Sequence, residues 1–333
     1  MKRSLYIAAA VTAISFPLWG NDFWVATVAC RILVLGVMAL SLTFLASLVG
    51  LVSFAQMGVA GVAGYAVALL SANTSGVGTE VSWPVAVLTA VTLATLAGLV
   101  VGAISIKSSE IYLLMITLAI SVCMFYFASQ NTAVFNGYDG INGVRAPVVA
   151  EVNLRAPLPF YYLCLVTATA LAAMVAWLEK TPAGSLLHAY RNSPLRLNAL
   201  GFNVVAIRLL AFTISGFIAG VGGVLNTWYN GQISPSAVDV HAAVLLLIVA
   251  VIGGMKRPAG AFLGALVYVL LENFASEFVS REHFNVVIGT AFMAIVLVSR
   301  DGLLGIVESS VGALRKTFYR RSQAAASVSK RQA

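Results

Sequence analysis

The sequence predicts an all-α, polytopic membrane protein with about ten transmembrane helices and both termini on the cytoplasmic side. Of its 333 residues, 60% are hydrophobic and only 10% are charged, and the mean hydropathy is +0.94. A soluble domain carries roughly a quarter charged residues, because its surface must stay in water. Spacing is the second observation: apolar runs recur at close to the roughly 20 residues a helix needs to cross the hydrocarbon core. The third is the distribution of Lys and Arg, which alternates as membrane topology requires.

Taken in order, the apolar segments lie at about 5–19, 23–47, 54–72, 84–106, 111–129, 158–178, 206–229, 241–254, 258–275 and 284–300. The first is short, and Met1-Lys2-Arg3 ahead of it could also open a secretory signal. Trp19-Gly20-Asn21-Asp22 offers no small-residue cleavage site, so a retained helix is expected. The eighth and ninth are split by Lys256-Arg257-Pro258. With the N-terminus inside, sixteen of the 20 Lys and Arg residues fall on the cytoplasmic side. Arg145, Arg155 and Arg281 fall outside, and Arg31 lies within a span. The net charge of +8 is thus read as positive-inside bias, with no call for nucleic acid as partner. Residues 1–308 form the membrane domain. Residues 309–333 form a basic, Ser/Ala-rich cytoplasmic tail suited to anionic headgroups of the lipid bilayer.

Catalysis has little support. A phosphate-binding loop needs a Gly immediately before its Lys, so that bare amides wrap the phosphates; none of the six lysines follows a Gly. His188, His241 and His283 are widely spaced. Cys30, Cys123 and Cys164 lie in apolar runs and read as packing residues. No metal site, cofactor or catalytic residue is assigned. Charges inside a membrane are costly and persist mainly for function. Arg31, Glu272, Asp239 and His241 are the candidates, and all four read more simply as interfacial anchors, which weakens the case for an ion-coupled carrier.

Two interruptions of the apolar pattern carry more information. In the inner loop, Thr181-Pro182 reads as an N-cap with Pro at the first helical position, followed by a short helix Ala183–Asn192. Ser193-Pro194 repeats the signal for a second helix through Leu200, which Gly201 stops. Apolar Leu186, Leu187 and Tyr190, then Leu195, Leu197, Ala199 and Leu200, sit among Arg191 and Arg196. The pair reads as a docking knob or as helices lying on the membrane surface. The second interruption is Val251–Gly264, where Gly253-Gly254 and Pro258-Ala-Gly260 break the helical pattern. It suits either a passageway or a tight hairpin of small residues.

These motifs resemble those of the permease subunits of ATP-binding cassette (ABC) importers for branched-chain amino acids, of the LivM type. The likeness spans roughly residues 30–306. Ala39-Leu-Ser-Leu-Thr-Phe through Gly61-Val-Ala-Gly-Tyr65 is similar to the family's ALGLNL…GQLSLGQAAFFGIGAY stretch, with Leu51 where the family often has Gln. Ile111–Ala119 resembles RGxYFAIVTLA, and the external Asn136–Gly143 resembles TGGxDGI. Thr181–Val204 resembles SPFGRAxRAIRExxxxAxALGIxV, Val251–Ala265 resembles VLGGxGxxxGPxLGA, and Arg300–Gly305 resembles RPxGLLG.

The resemblance implies a non-enzymatic transmembrane subunit in a bacterial cytoplasmic membrane. It implies pairing with a second related permease subunit, cytoplasmic ABC ATPase subunits that hydrolyse ATP, and an extracytoplasmic substrate-binding protein. Loop 181–204 would dock on the ATPase through Gly184, Leu187, His188, Tyr190, Arg191, Asn192, Pro194, Leu200 and Gly201. Ser53, Gln56, Thr117 and Asn226, with Gly253 and Gly254, are candidates for the translocation pathway, or for hydrogen bonds between helices. Branched-chain amino acids are the expected cargo, with urea, amides and aromatic acids in the same family. A sugar or nucleoside permease of similar architecture, an ion-coupled carrier and a membrane scaffold are the alternatives.

Overall fold

A computed structural model describes residues 21–278 apart from 22, 109, 150–151 and 154–155, together with 16–17, 289–290, 293, 302–303 and 305. Eight of the expected apolar segments coincide with helices there. The segments at 5–19 and 284–300, and the tail 309–333, lie outside the described residues.

Five helices are long and apolar enough to cross a membrane. They are α1 (Trp24–Val49), α3 (Trp83–Ile104), α4 (Glu110–Gln130), α5 (Pro157–Leu178) and α8 (Val204–Asn230). Three apolar helices are shorter or end in polar residues: α2 (Gln56–Leu70), α9 (Val240–Gly253) and α10 (Gly260–Phe278). Between α5 and α8 stand the short helices α6 (Pro182–Asn192) and α7 (Pro194–Ala199).

Helix α1 is the central post. Its most apolar window is 83% buried, against 28% for α3 and 22% for α4, whose outer faces are exposed. It packs against α2, α5, α8, α9 and α10. Lipid tails are as apolar as leucine, so helices in a membrane associate by close packing rather than by hydrophobic drive. Accordingly α3 turns Ala86, Ala90, Ala94, Gly98 and Gly102, all buried, toward its neighbours. A Cβ on Gly98 would lie 2.8 Å from the Cα of Gly216, so α3 and α8 touch backbone to backbone. Two turns on, Gly223 of α8 lies against the Ala60 backbone of α2, and Gly222 lies against Met38 of α1. One glycine-rich stretch thus seats α8 on three helices.

Helix ends alternate between two faces. On one face, Thr74 N–H donates to Asn142 O (3.1 Å), Arg145 N–H to Ala72 O (3.2 Å) and Val144 N–H to Gly231 O (2.9 Å). There the short strands β1 (Ile141–Asn142) and β4 (Gln232–Ile233) pair antiparallel, Ile141 opposite Ile233. A separate pair, β2 (Val148–Val149) with β3 (Val152–Asn153), belongs to the same long loop. The opposite face carries the ends of α1, α3, α5 and α9, and the α6–α7 loop.

Candidate functional site

The loop forms the two helices the capping signals imply. Thr181 Oγ1 accepts from Gly184 N–H (3.3 Å) and donates to Leu178 O (2.7 Å), joining the end of α5 to the start of α6. Ser193 accepts from Arg196 N–H to start α7, and Asn203 accepts from Ala206 N–H to start α8. Between them Gly201 takes the left-handed conformation (φ +86°), which an L side chain adopts only under strain. Its N–H bonds Asn198 O, and Phe202 N–H bonds Leu197 O, closing α7.

The expected docking residues divide into two sets. Gly184, Leu187 and Tyr190 are buried and recur along one face of α6. A Cβ on Gly184 would stand 2.8 Å from Glu179 Cα, so this glycine lets α6 lie on the end of α5. Arg191 also turns inward with its guanidinium: Nη1 donates to Ser47 O (2.6 Å) at the end of α1. A cation is favoured at a helix C-terminus, where carbonyls lack intrahelical partners. His188, Asn192, Pro194, Leu200 and Gly201 lie on the exposed side. Beside them are Leu195, 83% exposed, and Leu200, 74% exposed, with Phe202.

A second arginine tie came without warning from the sequence. Arg208, at the start of α8, is buried; it donates to Ile106 O (3.3 Å), Ser108 O (2.9 Å) and Ser108 Oγ (3.1 Å). It clamps the α3–α4 turn to the start of α8. Its charge had signalled only a cytoplasmic position. The pairing of Arg31 with Glu272 was also missed: the side chains meet at 2.7 Å, from α1 to α10. Both had read as separate anchors, since a sequence separation of 241 residues hides the partnership.

The polar residues expected along a pathway fall in three places. Ser53 and Gln56 belong to the break between α1 and α2, where Gly50 (φ +77°) ends α1. Thr117 of α4 joins them, because its hydroxyl accepts from Phe54 N–H (3.1 Å) while donating to Leu113 O (2.8 Å). Asn226 lies apart on α8, its carbonyl groups accepting from Asn230 Nδ2. Gly253 and Gly254 lie in the α9–α10 turn. Gly253 packs on the backbone of Gly260 and Gly264, and a Cβ on Gly302 would meet Gly254 Cα at 2.5 Å. The small residues there serve tight packing, and they let the Gly302 backbone approach the Val251–Gly264 turn. Among the described residues no cluster of His, Cys, Asp and Glu could hold a metal.

Long apolar helices joined by alternating ends, a capped helical loop at one face and a broken helix at depth define a multi-pass membrane protein of the permease class. The chain belongs to the family described as branched-chain amino acid transport system / permease component, whose profile matches residues 24–297. It is 24% identical to the high-affinity branched-chain amino acid transport system permease protein LivM of Escherichia coli K12, over 91% of this chain and 75% of that one. It is 26% identical to the ribose import permease protein RbsC of Haemophilus influenzae, over 67% of this chain and 68% of that one. A probable LivM of Methanocaldococcus jannaschii is 29% identical over 55% and 54% of the two chains. No solved structure matches the chain.

Proposed function

We propose that this chain is a transmembrane subunit of an ATP-driven importer of branched-chain amino acids, or of a related small polar solute, in a bacterial cytoplasmic membrane. Ten spans cross the bilayer, with residues 5–19 and 284–300 as the first and last and with both termini inside. It pairs with a second related permease. Cytoplasmic ABC ATPase subunits supply the energy, and an extracytoplasmic binding protein delivers the solute to the outer loops, including Asn136–Gly143.

The observation that carries this reading is the loop 181–204. It presents Leu195, Leu200 and Phe202 to water beyond the helix ends while Leu187, Tyr190 and Arg191 root it in the bundle. Exposed leucines on a rigidly capped loop are a poor solution for a surface that stays bare, and a good one for a groove on a partner. In this reading the docking contacts are Leu195, Leu200, Phe202, His188 and Asn192. Gly184, Leu187, Tyr190 and Arg191 hold the loop so that ATPase motion reaches the bundle. Ser53, Gln56 and Thr117 lie on the pathway, Asn226 lines it near the outer face, and Gly253 and Gly254 let α9 and α10 move as one hairpin.

Uptake of labelled leucine into proteoliposomes tests this. Uptake is expected only when the ATPase, the second permease and the binding protein are all present with ATP. Leucine uptake by this chain alone, driven by a proton or sodium gradient, would overturn the reading. Because a ribose permease is among the relatives, ribose is the control cargo. Ribose uptake without leucine uptake would assign the chain to sugar import.

A further inference from the structure

Helix α2 has 15 residues and so rises about 22 Å, short of the roughly 30 Å hydrocarbon core. One of its ends must therefore lie at membrane depth. Beyond Leu70 the chain joins the outer loops through the Thr74–Asn142 bond, so the deep end is the start, at Gln56. Thr117 fixes that depth: its hydroxyl holds Phe54 N–H, and it is the eighth residue of α4, about 10 Å from the start of that helix.

The start of α2 is both buried and bare. Gln56, Met57 and Gly58 are all buried, and no side chain caps the helix. The one hydroxyl nearby in sequence, Ser53 Oγ, accepts instead from Ala55 N–H (3.3 Å). The first N–H groups of any helix lack intrahelical acceptors, and burial denies these the water that serves elsewhere. Gln56 is only 3% exposed, and its Oε1 has no hydrogen-bond partner. Side chains on a helix lean toward its N-terminus, so at the first helical position Gln56 reaches past the bare amides. Buried amide oxygens without partners are rare in proteins. Here an orphan acceptor stands beside a buried helix start that no side chain caps.

Bare amides at a helix start, with the positive end of the dipole, suit a carboxylate; an orphan carbonyl oxygen suits an ammonium group. An α-amino acid carries both, on adjacent carbons. We infer that the Phe54–Gly58 break is a substrate station, where the N–H groups that open α2 receive the carboxylate of a zwitterionic amino acid and Gln56 Oε1 receives its ammonium. The inference rests on the import reading and names the site within it. The station is closed in this structure. Its gate is the break itself, next to the end of α1 that loop 181–204 holds through the Arg191–Ser47 bond, three residues before Gly50.

The test uses the complete complex in proteoliposomes, with leucine-loaded binding protein at saturation, comparing wild type with Gln56→Leu and Gln56→Glu. Leucine removes the acceptor; glutamate keeps an acceptor for the ammonium but sets a negative charge beside the amides that hold the carboxylate. In complexes that co-purify intact, leucine uptake is expected to fall about tenfold or more, as for loss of a hydrogen bond to a charged group. ATPase stimulation by loaded binding protein should persist, which a general packing defect would not spare. Gln56→Asn, which keeps the amide, should retain part of the uptake. Leucine uptake at the wild-type rate in Gln56→Leu would overturn the station and leave the import reading standing. Uptake of ribose and not leucine by the wild-type complex would overturn both.

Discussion

Arg191 illustrates how far a residue type is from a role. In the sequence it is a charge on a short helix, as suited to a partner as Arg196. In the structure its guanidinium is committed to Ser47 O at 2.6 Å, and its aliphatic stem covers Gly50. Arg191→Ala removes a charge-assisted hydrogen bond of about 1.5–3 kcal/mol. ATPase subunits should still bind, because the exposed leucines are untouched, but the ATP consumed per leucine imported should rise. Paired measurement of phosphate release and uptake checks this; an unchanged ratio would relegate Arg191 to packing. Gly184 is the stricter case. A Cβ there meets the backbone of Leu178 and Glu179, not a flexible side chain, so even Gly184→Ala should displace α6 and lower the melting temperature of the purified complex. The Arg31–Glu272 pair calls for a double-mutant cycle. Both side chains are partly exposed, at 40% and 22%, so a coupling of about 1 kcal/mol is expected rather than the larger values of fully buried pairs. Melting of Arg31→Met, Glu272→Gln and the double variant measures it.

At the scale of elements, what the sequence made readable follows from the physics of each signal. Caps are local, so Thr181-Pro182, Ser193-Pro194 and Gly201 fixed α6 and α7 almost to the residue; the helices begin at the prolines themselves and α7 stops one residue early, at Ala199. Apolar length is also local, and it located the long helices. It could not tell a full span from a short one: the run 54–72 looks like its neighbours, yet α2 starts at Gln56 within the bundle because Gly50 and Thr117 hold the preceding backbone outside the helix. Partnerships across the fold had no local signal, which is why Arg208 and its α3–α4 turn stayed invisible. The division of the loop into rooted and exposed faces yields a contrast between variants. Leu195→Asp and Leu200→Asp alter exposed positions and should change stability by no more than about 0.5 kcal/mol, while abolishing co-purification of the ATPase. Leu187→Ala empties a fully buried site on the same helix pair and should cost about 2–5 kcal/mol. Pull-down and thermal melting, read together, separate the two faces. ATPase retention by both aspartate variants would move the docking surface elsewhere.

For the molecule as a whole, charge and contact speak to the same topology from independent directions. The Lys and Arg alternation sets the 179–205 loop inside and the 71–83 and 130–157 loops outside, using no structure at all. Contacts sort the helix ends into the same two groups with no reference to charge. Arg191 and Arg208 bind together the ends of α1 and α3 and the start of α8, whereas Thr74, Asn142, Val144 and Gly231 knit the other ends. Among the described helices, a misplaced span between α1 and α8 would have put one of these bonds across the bilayer. Inverting the chain would also place Arg208 and the basic loops outside, against the bias that orients membrane proteins during insertion. Impermeant maleimide on intact cells tests the assignment. In a background lacking Cys30, Cys123 and Cys164, Glu80→Cys and Tyr138→Cys should label from outside, and Ser185→Cys and Asn198→Cys only after permeabilisation. All four positions are exposed in the chain, and expression without the ATPase keeps the α7 position open, so a failure to label reports side rather than burial. Labelling of Asn198→Cys on intact cells would overturn the orientation and, with it, the placing of the ATPase against α7.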